Sequence, residues 1–332
     1  MQPFQFLPSA EAAAQTNLAM HDRLFKSLNY LVEVLSGADA GLQNAYQAWR
    51  SRLPIGSNLP PSVFGTYYEA VEALQADDTH TGLSLLADIF QQAAAPQGVK
   101  LRILGPDYSE REMAIIQKFM GAPETGVAGV TAPDPRKAER FIVKLREAIN
   151  WIDANVPELS GEMNTLLRDL VLVGPAKGQA TFEGGTCFRL WGAVALNAER
   201  RASFADLIVT LAHEEGHAAL FGACQEEMLV ENPDSERYWS PIRGTERPLE
   251  GIFHASFVSA RMVWVLGRMQ ESKDFSWLER RRLESTLRET EAIQRESADI
   301  VRREGRLTRT GQNVLAAMTG FMSGQAATLQ SA

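Results

Sequence analysis

The segment from Ser203 to Gly222 constrains the fold more than any other part of the chain. Ser203 and Asp206 form an S-x-x-D pair directly ahead of an apolar series, Leu207, Ile208, Leu211, Leu220 and Phe221. This is the signature of a capping box, in which the hydroxyl accepts from a first-turn N–H. It predicts a helix that starts near Phe204 and stops at Gly222, where a glycine ends the apolar periodicity. Any fold must accommodate that helix with the sequence HEEGH, residues 213–217, inside it.

Within a helix, His213 and His217 stand four residues apart and project from one face on successive turns. Two imidazoles so placed reach one metal ion at a bond length of ~2.0–2.1 Å. Glu214 lies about 100° further round the helix, within reach of a metal-bound water without being a ligand. Gly216 has no side chain, so a second segment is expected to pack close there. Histidine occurs only five times in 332 residues, and a helix-borne pair four apart with an intervening Glu is specific for metal binding.

A catalytic metal needs a third protein ligand and open positions. Of the other histidines, His21 in the first helix and His80 in the polar stretch DDTHTG read as surface residues. His254 lies early in a helix, in PLEGIFHASF, where a helical hairpin folding back presents it to the metal. Glu250, one turn earlier, competes as third ligand and would give two histidines and a carboxylate, a set that suits a zinc peptidase or a non-haem iron centre. The spacing excludes a metzincin, because no His lies six residues after His217.

The net charge of −8 disfavours nucleic acid as the main partner and docking on an anionic membrane surface. Cys187 and Cys224 form no spaced framework, which fits a reducing setting. The N-terminus lacks the pattern of a secretory signal, and no window approaches the ~20 continuous apolar residues of a membrane span. These features lead to an expected cytoplasmic location.

Apolar spacing predicts helices over 10–35, 41–52, after Pro60-Pro61, and over about 81–94, 109–120 and 134–153. The motif helix and helices over about 249–269, 277–304 and 308–322 follow. Strands are expected at 99–104, 170–173 and 187–196, with a flexible loop at 121–135. The fold class is mainly α with a small β-sheet (α+β), the HExxH helix beside a short sheet and helical hairpins toward the C-terminus. The expected division is a mainly helical region 1–155 and a metal-binding catalytic region 156–332, or one continuous domain. The charged helix near 277–304 is a solvated face or a dimer contact, so oligomeric state stays open.

From about Leu190 to Ala260, about a fifth of the chain, the sequence resembles a bacterial family named for its HExxH motif. That family is associated with ribosomally made, modified peptides and is read as iron- and 2-oxoglutarate-dependent peptide β-hydroxylases. The resemblance rests on the L-x-H-E-x-x-H-x-x-L pattern at Leu211–Leu220 and on YWSPIRGTERPLEGIFH at Tyr238–His254, where Arg247, Pro248, Gly251 and His254 fit an R-P-x-x-G-x-x-H segment. It implies that His213, His217 and His254 hold Fe(II), with Glu214 beside them. Three ligands on one face leave positions for a chelating 2-oxoacid and O₂. The distal carboxylate of 2-oxoglutarate then needs a fixed cation, for which Arg243 and Arg247 are the candidates. The implied substrate is a precursor peptide, with residues 190–196 as an edge for strand addition.

Two other readings stand beside this one. In a zinc metallopeptidase Glu214 is the general base that activates a zinc-bound water. In a structural site all four positions are filled, often by Cys, and neither cysteine has that spacing.

Overall fold

A computed structural model describes residues 4–37, 39, 41–122, 127, 129–178 and 182–330, with side chains to 324. Residues 123–126 and 128 of the loop expected at 121–135 lie outside the described residues. The fold is mainly α with small sheets: eleven α-helices and seven short strands among the described residues. The chain forms two compact units interleaved along the sequence. A sheet unit contains Ala14–Val143 and Met163–Arg201, and a helical unit contains Met1–Ala13, Lys144–Glu162 and Ala202–Ala332.

In the sheet unit, α1 (Ala10–Leu35), α2 (Leu42–Arg52), α3 (Pro61–Gln75), α4 (Thr79–Ile89) and α5 (Glu110–Met120) accompany strands β1 (Lys100–Ile103), β2 (Val130–Thr131), β3 (Asp169–Pro175), β4 (Gly184–Thr186) and β5 (Ala193–Asn197). The strand order is β1-β3-β5-β4, with β1, β3 and β5 parallel, β4 antiparallel to β5, and β2 antiparallel to the end of β3. The apolar run Leu170–Val173 is fully buried, as expected of a parallel strand covered on both faces.

The structure corrects the strand expected at 187–196. Phe188–Leu190 is a 3-10 turn, and β5 begins only at Ala193. Gly192 makes the switch at φ +88°, a conformation that suits glycine. Strand addition at this segment is also overturned. β5 is hydrogen-bonded to β3 on one side and β4 on the other, so it offers no free edge. A linear reading sees an apolar run but not its two neighbours.

The helical unit holds α8 (Phe204–Ala223), α9 (Leu249–Glu271), α10 (Trp277–Glu304) and α11 (Arg309–Gln330), with a two-stranded ribbon of β6 (Tyr238–Ser240) and β7 (Thr245–Arg247). Two further helices, α6 (Pro135–Asn155) and α7 (Pro157–Leu166), have residues in both units. The predicted capping box of α8 is present: Ser203 Oγ accepts from Asp206 N at 3.2 Å, and Asp206 Oδ2 accepts from Ser203 N at 2.8 Å. Such a cap contributes about 1 kcal/mol.

Helix α9 packs against both α8 and α10. It is long and apolar enough to cross a membrane, but 78% of that apolar window is buried inside the protein. Its hydropathy is that of a core helix. Around it cluster Leu220, Phe253, Phe257, Val258, Val301 and Met318.

Candidate metal centre

The candidate site is built on α8 and α9 of the helical unit. His213 and His217 lie on one face of α8, their ring centroids 4.9 Å apart. His254, on the second turn of α9, brings its Nδ1 to 3.4 Å from Nδ1 of His217, with the two rings nearly parallel. Two nitrogens each about 2.1 Å from one ion at a tetrahedral angle lie about 3.4 Å apart. The His217–His254 pair therefore fits a shared metal ion.

Electrostatics favour imidazoles ready to ligate. Burial lowers the pKa of His213 to about 4, with a smaller contribution from the charge of Arg243. His217 is held well below 6.5 by burial, then by His213, His254 and Arg243. Neutral imidazole is the form that binds a metal.

Glu250 and His254 are one turn apart on α9, and Glu250 Oε1 lies 3.5 Å from Nε2 of His254. The carboxylate also accepts from the backbone N–H groups of Leu229 (3.4 Å) and Val230 (3.2 Å). Its lone pairs are thus directed to the chain and to the ring edge opposite His217. This is the arrangement of a carboxylate that orients a metal-binding histidine. Of the two competing third ligands, His254 is the one whose ring nitrogen approaches His217, while Glu250 sits at the far edge of that ring.

Among the described residues, the one group of three donors whose ligand atoms all lie within 4.8 Å of one another is Cys224, Glu250 and His254. His213 and His217 do not belong to it. Burial, reinforced by Glu250, raises the Cys224 pKa in the metal-free protein, a shift that a bound metal would oppose, since a coordinating thiol loses its proton.

Glu214 is buried, at 4% exposure. Arg243 is exposed on the turn that joins β6 to β7, where Gly244 adopts φ +62°. Arg247 ends β7 and is half-buried. Its pKa is lowered by burial, then by Arg243 and Arg237. Pro248 caps α9 immediately afterwards, so the ribbon that carries both arginines runs directly into the helix that carries His254.

Three neighbours of the site escaped the sequence reading. Met262 places its sulfur 3.3 Å from Nδ1 of His213. Phe221 packs against the rings of both His217 and His254, and Cys224 caps α8. The signal for Met262 was available, since it lies eight residues after His254 and returns to the same helix face.

The remaining histidines depart in part from expectation. His80 is exposed as expected, but in the first turn of α4 rather than a loop. His21 is not a surface residue. It is 4% exposed, its Nδ1 is 2.8 Å from Asn17 O, and its Nε2 accepts from Leu59 N at 3.0 Å. Both ring nitrogens are occupied, and His21 serves the core.

At Gly216 a second segment, α9, packs close as expected. A Cβ there would meet Arg261 Cγ and Val258 Cγ1 at 3.4 Å, ordinary contact that does not require glycine. Comparison with protein-family models and with curated proteins finds no match for this chain.

Proposed function

We propose that the chain is an Fe(II)- and 2-oxoglutarate-dependent oxygenase that hydroxylates a side chain, at its β-carbon, of a ribosomally made peptide. The observation that carries this reading is the approach of His254 to His217, 3.4 Å between ring nitrogens, beside Arg243 and Arg247. Three imidazoles suit a divalent transition metal, and a set of nitrogen donors suits iron or zinc. Bound iron would supply the activation of O₂ and the oxidation of a substrate C–H bond.

The chain's own residues have distinct tasks in this scheme. Glu250 orients His254 through the ring edge turned away from His217. Burial, with a smaller contribution from Arg243, disfavours protonation of His213 and His217 and keeps their nitrogens available. No carboxylate of the described chain pairs with Arg243 or Arg247, so both remain free for the distal carboxylate of the oxoacid. Burial of Glu214 suits a residue that holds a neighbouring group in place rather than a base open to solvent. A cytoplasmic setting, where Fe(II) and free thiols persist, belongs to the same proposal.

The test is anaerobic loading with Fe(II), addition of 2-oxoglutarate, and measurement of the visible charge-transfer absorption of the metal–oxoacid chelate. His254→Ala should abolish the band through loss of the metal. Arg247→Leu and Arg243→Leu, singly or together, should weaken the oxoacid while iron stays bound. With oxygen and an accepted peptide, succinate and a product heavier by one oxygen atom are expected. Peptide cleavage with zinc and no oxoacid binding with iron would replace this reading by a metallopeptidase with Glu214 as base.

A further inference from the structure

Apart from the HEEGH pair, His254 has a second set of ligand neighbours. Cys224 caps the C-terminal end of α8. Glu250 and His254 stand four residues apart in the first turns of α9, so both project from one helix face. The ligand atoms of these three residues lie within 4.8 Å of one another. An ion in solution has access to them: Cys224 is only partly buried, and the side chains of His254 and Glu250 keep 13% and 15% exposure.

Sulfur, carboxylate and imidazole together suit zinc. Tetrahedral zinc takes sulfur at ~2.3 Å and nitrogen or oxygen at ~2.0–2.2 Å, which sets its donors about 3.3–3.6 Å apart. Glu250 Oε1 and His254 Nε2 already stand 3.5 Å apart. From within 4.8 Å of both, the Cys224 sulfur has at most about 1.2 Å to close. Glu250 is held in place by the backbone N–H groups of Leu229 and Val230. Those bonds use two of the roughly four lone-pair positions of a carboxylate and leave the others for an ion. Cys224 forms no disulfide, and on binding its thiol gives its proton to solvent. A thiolate donor favours zinc over magnesium, calcium or Fe(II).

His254 belongs to both sets, and it cannot serve both at once. Its Nδ1 faces Nδ1 of His217 at 3.4 Å, and its Nε2 faces Glu250. A neutral imidazole has one nitrogen lone pair and one N–H. Coordination through Nε2, beside Cys224 and Glu250, leaves the hydrogen on Nδ1, and that nitrogen then has no lone pair for an ion shared with His217. Coordination through Nδ1 puts the hydrogen on Nε2, where Glu250 accepts it.

We infer that Cys224, Glu250 and His254 form a second metal site, selective for zinc, whose occupation withdraws His254 from the HEEGH histidines. The site itself stands apart from the function proposed above. Its consequence, that zinc at Cys224 weakens iron at the HEEGH pair, rests on that reading.

The test titrates the full, metal-stripped chain with Co(II), which substitutes for zinc and shows a near-ultraviolet charge-transfer band when a thiolate binds it. The band should appear, and Zn(II) should abolish it. His213→Ala, which dismantles the first site, should keep the band, and Cys224→Ser should remove it. Glu250→Gln and His254→Ala should each weaken the cobalt that gives the band at least about tenfold. Absence of the band from both the unaltered chain and His213→Ala overturns the site, as does a band that Glu250→Gln and His254→Ala leave undiminished. A second titration follows Fe(II) affinity at buffered zinc. Zinc should lower it at least about tenfold more in the unaltered chain than in Cys224→Ser, since direct competition at the HEEGH pair is common to both. Equal sensitivity of the two proteins overturns the withdrawal of His254. If neither protein binds iron, the function proposed above fails, and the thiolate band still decides the second site.

Discussion

Replacing Glu215 by Gln should change how stability depends on pH, because the fold holds this carboxyl neutral. Glu215 is completely buried on α8, with Arg261 Nη1 of α9 at 3.8 Å. Arg261 is already paired: its Nη2 donates to Glu162 at 2.8 Å, and Glu162 also accepts from Ser9 N at 2.7 Å. One guanidinium therefore faces two buried carboxyls. Burial, then the charge of Glu162, raises the Glu215 pKa well above 4.5, and Arg261 only partly opposes them.

Because the folded pKa is the higher one, folding retains a proton that the unfolded chain releases. The contribution of Glu215 to stability is therefore full below about pH 4.5 and lost as pH rises toward the folded value, at roughly 1.4 kcal/mol per unit. A glutamine has no such proton. The stability of Glu215→Gln relative to the unaltered protein should climb by that slope as pH rises from about 4.5 toward the folded value. Urea unfolding of both metal-free proteins at a series of pH values gives the difference directly. The depressed histidines act in the opposite sense, their stabilisation being lost as pH falls, but they are common to both proteins and cancel. A difference independent of pH would refute the reasoning, since Glu215 would then be ionised inside the fold.

Other substitutions test neighbouring elements. A Cβ at Gly311 would collide with the carbonyl of Leu229, so Gly311→Ala should cost up to about 3 kcal/mol in urea unfolding. Gly216→Ala should be tolerated and gain up to about 1 kcal/mol of helix propensity. An equal loss at both positions would show that the α8–α9 contact is tighter than described. Glu250→Gln should lower metal affinity about 10–100-fold in a competition titration, whereas an unchanged affinity would remove Glu250 as the group that orients His254. His21→Leu leaves the Leu59 N–H unpaired in the core and should destabilise by about 1–3 kcal/mol, and a neutral effect would return His21 to the surface role read from sequence.

What was legible in the sequence followed from local chemistry. The start of α8 was fixed by Ser203 and Asp206 and that of α3 by Pro60 and Pro61, because caps and proline act within one turn. The His213–His217 pair was legible because helix geometry alone places it. Hidden were features that depend on distant partners. Whether β5 has a free edge depends on β3 and β4, and whether His21 is buried depends on Leu59, 38 residues away. Arg261 gave no signal of its own, since its carboxyl partners come from α8 and α7. The interleaving of the two units is of the same kind, because no composition change marks the passages at residues 143–144, 162–163 and 201–202.

The position of His254 follows from those distant partners. Arg261 lies seven residues after it, two turns along the same face of α9, and meets Glu215, which stands between His213 and His217 in sequence. Val258, between them on α9, packs at Gly216. These contacts set the register of α9 against α8. A four-residue slide of α9, about 6 Å, would put Glu250 or Val258 where His254 stands and would draw Arg261 away from Glu215 and Glu162. Leaving Glu162 buried without the guanidinium that now pairs with it at 2.8 Å would cost several kcal/mol. The buried network is thus what holds the third imidazole opposite the HEEGH pair, and HEEGH contributes to the site through its second glutamate as well as through its histidines.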